Sequence, residues 1–294
     1  MIPQPDEAAG LTSDIIFSGS TVVGYCLAGL VSLLIPAAAY LLMRRYRAAR
    51  LYSVIIGIIT YILSVKLCDF TVMILFSRAS AAMKTALAIA FVGFFEETGR
   101  WLAMKYPLTD IRRERHAVCL GIGHAGMECL MRSNRAFMIA RLCVKVRSRG
   151  TAPLLTGKTE AQTKQILQQL QDFADQNLFV SLLSCMNAIT NFCFHIALTM
   201  LVFKKMQEPK FLTRWLPLAF LLHFALNALY QDAALIGGAA FANIMSILGG
   251  AGTVLLVSRI INGRAIADAI LYPADTDSAD APNQPDIPRK DLSL

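Results

Sequence analysis

An all-α, polytopic membrane bundle of about seven transmembrane helices is predicted from three observations. Of the 294 residues, 55% are hydrophobic, only 16% are charged, and apolar runs of about twenty residues recur along most of the chain. A soluble domain carries roughly 25% charged residues. Only helices and closed barrels satisfy their backbone inside a bilayer, and these runs lack the alternation of barrel strands.

The spans are placed at 21–43, 51–76, 83–104, 116–132, 177–203, 215–232 and 237–261. The first ends at the basic run RRYRAAR (44–50), so Arg44, Arg45, Arg47 and Arg50 put the first loop in the cytoplasm and the acidic N-terminus outside. The second follows directly from Leu51. The third carries FFEETGRW and ends before Arg112, Arg113 and Arg115, which fall inside; the fourth then begins with AVCLGIGHAGMECLM. The fifth, with NFCFHIAL, ends at Lys204 and Lys205, and the sixth opens after Lys210 and Arg214 with LLHFALNALY. Arg264 closes the seventh, and the C-terminus is cytoplasmic.

One segment strains the alternation. Residues 133–176 contain Arg135, Arg141, Lys145, Arg147 and Arg149, yet the count of spans places them outside; a long loop obeys the charge rule poorly near its middle. Within it, TEAQTKQILQQLQDFADQ sets Ile166, Leu167, Leu170 and Phe173 on one side, the pattern of an amphipathic helix on the bundle or the interface. The organisation is therefore an extracytoplasmic segment 1–20, a bundle 21–262 with a long loop and amphipathic helix at 133–176, and a tail 263–294. That tail is rich in Pro and Asp and disordered from about 272.

Several readings are set aside. The net charge of +8 arises from basic residues that flank the spans, so topology accounts for it and no nucleic-acid partner is implied. The seven cysteines have no C-x-x-C spacing and most lie in apolar runs, as packing residues do. No cleavable signal peptide precedes the first span, because MIPQPDEAAGLTSD lacks a basic start. Gly121, Gly123 and Gly126 spell G-x-G-x-x-G, but no strand precedes them and no acidic residue follows at the ribose-binding distance. GTAPLLTGKT has six residues between its glycines where a P-loop has four.

The ionisable residues inside the spans are few: Glu96, Glu97 and Arg100, then His124 and Glu128, then His195 with Asn191, then His223 with Asn227. Such groups are costly in a bilayer and mark sites. Glu96, His124, His195 and His223 each lie about eight positions from a cytoplasmic helix end, roughly 12 Å deep at 1.5 Å per residue. They form one layer. Glu96 and Arg100, His124 and Glu128, Asn191 and His195, and His223 and Asn227 are all i,i+4 pairs that share a helix face. The three glycines allow a neighbouring backbone to approach His124 closely. His116, at a basic boundary, is read as solvated, and Lys66 with Asp69 as a local ion pair.

FEETGR, GIGHAGME, a late His and an H-x-x-x-N together resemble the YhfC-type intramembrane proteases, relatives of the PrsW and CPBP (CAAX prenyl protease-like) families, over roughly residues 20–262. The resemblance implies a multi-pass cell-membrane peptidase acting on membrane-embedded or membrane-anchored protein substrates. It implicates Glu96, Glu97, Arg100, His124, Glu128, His195, His223 and Asn227 as the active site. One departure is Ala125 after His124, where the family often has glycine.

Amide hydrolysis needs an activated water, a stabilised oxyanion and a proton for the leaving amine. Glu96 or Glu97 suits the base, with Arg100 holding the other carboxylate. His223 and Asn227 suit the oxyanion, and His124 and His195 suit water or a metal. His124, His195 and His223 with a carboxylate are able to form a tetrahedral zinc site with one open position; the same residues are able to run a metal-free, glutamate-based mechanism. H-E-x-x-H is absent. Two rival functions use the same layer: a non-catalytic scaffold, and a proton-coupled transporter, which would show internal repeats.

Overall fold

The computed structural model describes residues 15–46, 50–108 and 114–263, and among them every regular element is helical. Most of the N-terminal segment, Arg47, Arg112, Arg113, Arg264 and the tail from 272 lie outside the described residues. In chain order the helices are α1 (Gly19–Arg45), α2 (Leu51–Leu75), α3 (Ala81–Lys105), α4 (Glu114–Arg149), the short α5 (Ala152–Leu155), α6 (Glu160–Ala174), α7 (Leu178–Lys205) and α8 (Leu216–Ile261), the last entered through a π-helical turn at Phe211–Trp215. They form an all-α membrane bundle. By length and apolarity α1, α2, α7 and the segment from Phe211 to Ile261 qualify as membrane-crossing. Large apolar side chains such as Leu34, Ile62, Phe70 and Leu255 cover the outside, where lipid replaces water.

The last helix is folded back on itself. Gly238 has φ 69° and ψ −167°, a backbone region open almost only to glycine. A Cβ at Gly249 would lie 2.9 Å from Leu229 and 3.2 Å from Leu226. Residues twenty apart in a straight helix would be about 30 Å apart, so the two arms are antiparallel. The apolar runs expected at 215–232 and 237–261 are these two arms.

At the centre stands α4, packed against α1, α2 and α7. Residues 117–125 are buried without interruption, as in a helix enclosed on all sides. Close approach makes this possible. A Cβ on Gly123 would fall 2.0 Å from the Val54 carbonyl oxygen of α2, and one on Gly57 would fall 2.1 Å from that of Leu120. Lipid gives no hydrophobic drive for helices to associate, so such backbone contact carries the packing.

Residues 133–149, expected as loop, continue α4 as helix. Ser133, Ala140, Cys143 and Val146 recur at helical spacing and are buried, while the basic residues take the other face. Against this extension and the start of α1 lies α6, opened by a Thr159–Gln162 capping box. Leu170 joins Phe17, Tyr25, Ala140, Cys143 and Val146 in a small second core. The amphipathic helix thus lies on the bundle.

Candidate active site

Helix α3 buries a stripe made of Gly93, Glu96, Glu97, Arg100, Ala103 and Met104, so its charges face inward at the 3.6-residue period. Gly93 lets the first arm of α8 come close, since a Cβ there would stand 3.3 Å from that of His223. His124 on α4, His195 on α7 and His223 on α8 complete the layer, and all six of these ionisable side chains are almost fully buried. The apolar group that includes Met104, Leu120, Leu198, Leu201, Phe211 and Trp215 packs around the helices at the end where α3 and α7 finish.

Two carboxylates organise the cluster. His124 Nε2 donates to Glu96 Oε2 at 2.8 Å, and His195 Nδ1 and His223 Nε2 stand 3.7 and 3.9 Å from the same oxygen. Glu97 Oε1 accepts from Arg100 Nη1 and from His223 Nδ1, the latter at 2.8 Å. Arg100 Nη2 reaches Glu96 Oε2 at 3.3 Å and donates to His195 Nδ1 at 2.6 Å. An imidazole that accepts at Nδ1 carries its proton on Nε2 when neutral. That nitrogen stands 2.6 Å from Glu128 Oε2, a carboxylate placed to favour a proton there.

Glu128 is itself held from two sides. Asn191 Nδ2 donates to its Oε1 at 2.9 Å, and Arg132 donates twice, at 2.9 and 3.0 Å. Arg132 was missed by the sequence argument because it lies outside the layer; its i,i+4 spacing from Glu128 was the available signal. Tyr61 was missed too, and its ring meets that of His124 edge-on at 5.3 Å. Asn227, half-buried one turn beyond His223, makes no hydrogen bond with the cluster. His116, expected to be solvated, is half-buried, with Nδ1 3.3 Å from Ser53 Oγ. Lys66 and Asp69 pair on the surface at 3.7 Å.

A second polar group ties α7 to the far arm of α8. Asn187 Nδ2 donates to Asn243 Oδ1 at 3.0 Å, and Ser246 donates to Asn187 at 2.9 Å. Its members satisfy one another, and it holds no ionisable side chain.

A metal ion fits the donor set. Glu96, His124 and His195 each offer one donor atom, all within 4.8 Å of one another and all on buried residues. Two imidazoles and a carboxylate are a zinc-type set with a position left open. The Glu128 carboxylate against the far nitrogen of His195 is the usual support of a ligating histidine. His223, the third histidine of the expected set, stands beside this tripod with Nδ1 committed to Glu97.

Comparison with known proteins agrees with this chemistry. The family model described as YhfC intramembrane metalloprotease matches residues 31–258. No curated protein and no solved structure matches the chain. The matched region covers the site helices α3, α4, α7 and the first arm of α8 whole, and well over half of the sequence; the chain belongs to the YhfC intramembrane metalloprotease family.

Proposed function

We propose that the chain is a multi-pass cell-membrane peptidase that hydrolyses peptide bonds of membrane-embedded or membrane-anchored substrates, with Glu96, His124 and His195 holding a zinc-type ion and Glu97 acting as general base. The observation that carries this reading is the buried carboxylate–imidazole–imidazole tripod with a second carboxylate at the next residue. The ion supplies Lewis-acid polarisation of the scissile carbonyl.

The chain's own residues do the rest. Glu97 Oε1 is fixed by Arg100 and His223, whereas its Oε2 is buried without a partner. A buried, unpaired carboxylate oxygen is destabilising by itself, and it is the proton acceptor that a hydrolytic site needs. It takes a proton from water and returns it to the leaving amine. Arg100 and His223 are the donors left to face the developing oxyanion, with Asn227 as a further neutral donor on the same face of α8. Glu128 orients His195.

One observation favours a metal-free reading. Arg100 Nη2 lies on two of the three donor atoms, at 2.6 Å from His195 Nδ1 and 3.3 Å from Glu96 Oε2, so a fixed cation and an ion would compete for them. In that reading Glu96 is the base and Arg100 holds Glu97.

Glu96→Gln and Glu97→Gln separate the two. Purified variants are assayed for bound metal, for cleavage of a membrane-embedded peptide and for folded yield. The tripod predicts that Glu96→Gln loses both metal and activity, while Glu97→Gln keeps the metal and loses a factor of about 10² to 10⁴ in rate. Parent protein that cleaves with no metal bound would sink the tripod and leave the glutamate mechanism. Loss of folded protein with normal turnover per surviving molecule would reduce both carboxylates to a structural pair with Arg100, since breaking a buried pair costs about 3–5 kcal/mol.

A further inference from the structure

We propose that the cleft between the start of α1 and the extension of α4 binds one anionic phospholipid, phosphate towards Arg141, Lys145 and Arg149 and acyl chain towards Val22, Cys26 and Phe137. The cleft has a volume of about 560 Å³ and is lined by these residues among others. It is separate from the peptidase reading: His124 and Arg141 are seventeen positions apart on one helix, about 25 Å along the axis.

Helical spacing makes the cationic side. Arg141, Lys145 and Arg149 follow one another at i,i+4 and therefore form a single stripe. All three side chains are exposed, and none takes part in a salt bridge among the described residues. Three like charges on adjacent turns repel one another by a few tenths of a kcal/mol per pair. A phosphodiester between them removes that repulsion and accepts charge-assisted hydrogen bonds.

Polarity changes along the cleft in the sense a lipid requires. Val22 and Cys26 lie within the first eight residues of α1, at one end of a helix long and apolar enough to cross a bilayer. Phe137 lies one turn before Arg141 and twelve positions before Arg149 on α4, about 6 and 18 Å along the axis. The cationic stripe thus runs up one side of the cleft from Arg141, with Val22 and Cys26 as the apolar opposite wall and Phe137 at its deep end. A nucleic acid would find no base-stacking row here, and a free anion would have no use for the apolar wall. The same stripe accounts for three of the five basic residues that strained the charge alternation, since Arg141, Lys145 and Arg149 line the cleft.

Full-length protein in a neutral detergent is mixed with equal amounts of dioleoylphosphatidylglycerol and dioleoylphosphatidylcholine, and retained lipid is counted by native mass spectrometry. With about 1 kcal/mol from each cation and a factor of ten per 1.4 kcal/mol, one phosphatidylglycerol is retained with a preference on the order of a hundredfold. Arg141→Gln/Lys145→Gln/Arg149→Gln abolishes the preference. Cys26→Trp fills the apolar side without altering charge and lowers retention of both lipids, while Lys158→Gln/Lys164→Gln, which removes two cations outside the cleft, changes nothing. Equal retention of the two lipids, or an equal loss in the Lys158/Lys164 variant, overturns the proposal. Displacement of the lipid by millimolar inorganic phosphate also overturns it, because the site would then be one for a free anion.

Discussion

At the residue scale the cluster is built from carboxylates that each serve a different neighbour. Glu96 faces imidazoles, Glu97 is clamped by Arg100 and His223, and Glu128 connects His195 to Asn191 and Arg132. In the proposed site Glu128 is a positioning residue, since its Oε2 reaches the ring nitrogen of His195 that points away from the tripod. Glu128→Gln keeps the volume and an acceptor but loses the charge that favours a proton on His195 Nε2. Removing such a partner costs about 10- to 100-fold in metal affinity. Competition with a fluorescent chelator reads this directly, before any turnover is measured. Unchanged affinity in that variant would confine Glu128 to tying α4 to α7 through Asn191.

At the scale of elements, the site exists because helices touch backbone to backbone. Gly123→Ala would place a Cβ 2.0 Å from the Val54 carbonyl, an atom that cannot swing aside like a side-chain tip. Overpacking of this kind costs about 1–3 kcal/mol or more. Thermal unfolding in detergent should therefore start at a lower temperature than in the parent. Gly252→Ala is the control, because nothing lies within 4 Å of a Cβ there. Helix propensity makes that change neutral or favourable by up to about 1 kcal/mol. Equal effects of the two substitutions would show that the α2–α4 contact is looser than its geometry. The three glycines beside His124 are visible in the sequence but their partners are not: Gly121 faces α7 at Ile196, Gly123 faces α2 and Gly126 faces Pro36 of α1.

At the scale of the whole molecule, orientation follows from where arginine and lysine lie relative to the spans. A reporter joined after Leu294 should score as cytoplasmic, and one joined before the first span as external, because positively charged loops stay inside. A cytoplasmic N-terminus would mean an even number of crossings. The segment to re-examine would then be 133–176, whose first part the structure makes a continuation of α4.

The class of the fold, most of the long helices and the residues of the buried polar layer are legible in the chain before any packing is known. Those properties are local or one-dimensional: an apolar run of about twenty residues has few alternatives in a bilayer, and equal depth follows from counting residues at a fixed rise. The layer of Glu96, Glu97, Arg100, His124, His195 and His223 was legible because buried charges are too costly to scatter. Which atoms face which depends on the packed helices: Arg100 reaches Glu97 through Nη1 and Glu96 through Nη2, His223 stands beside the tripod and not in it, and Asn227 bonds none of the cluster. The packing also decided that 133–149 is helix, since the start of α1 and α6 supply the surfaces on which its apolar face is buried. Pair identities depend on the rotation of each helix about its own axis. That rotation is fixed by contacts between residues far apart in the chain, which no count along the sequence contains.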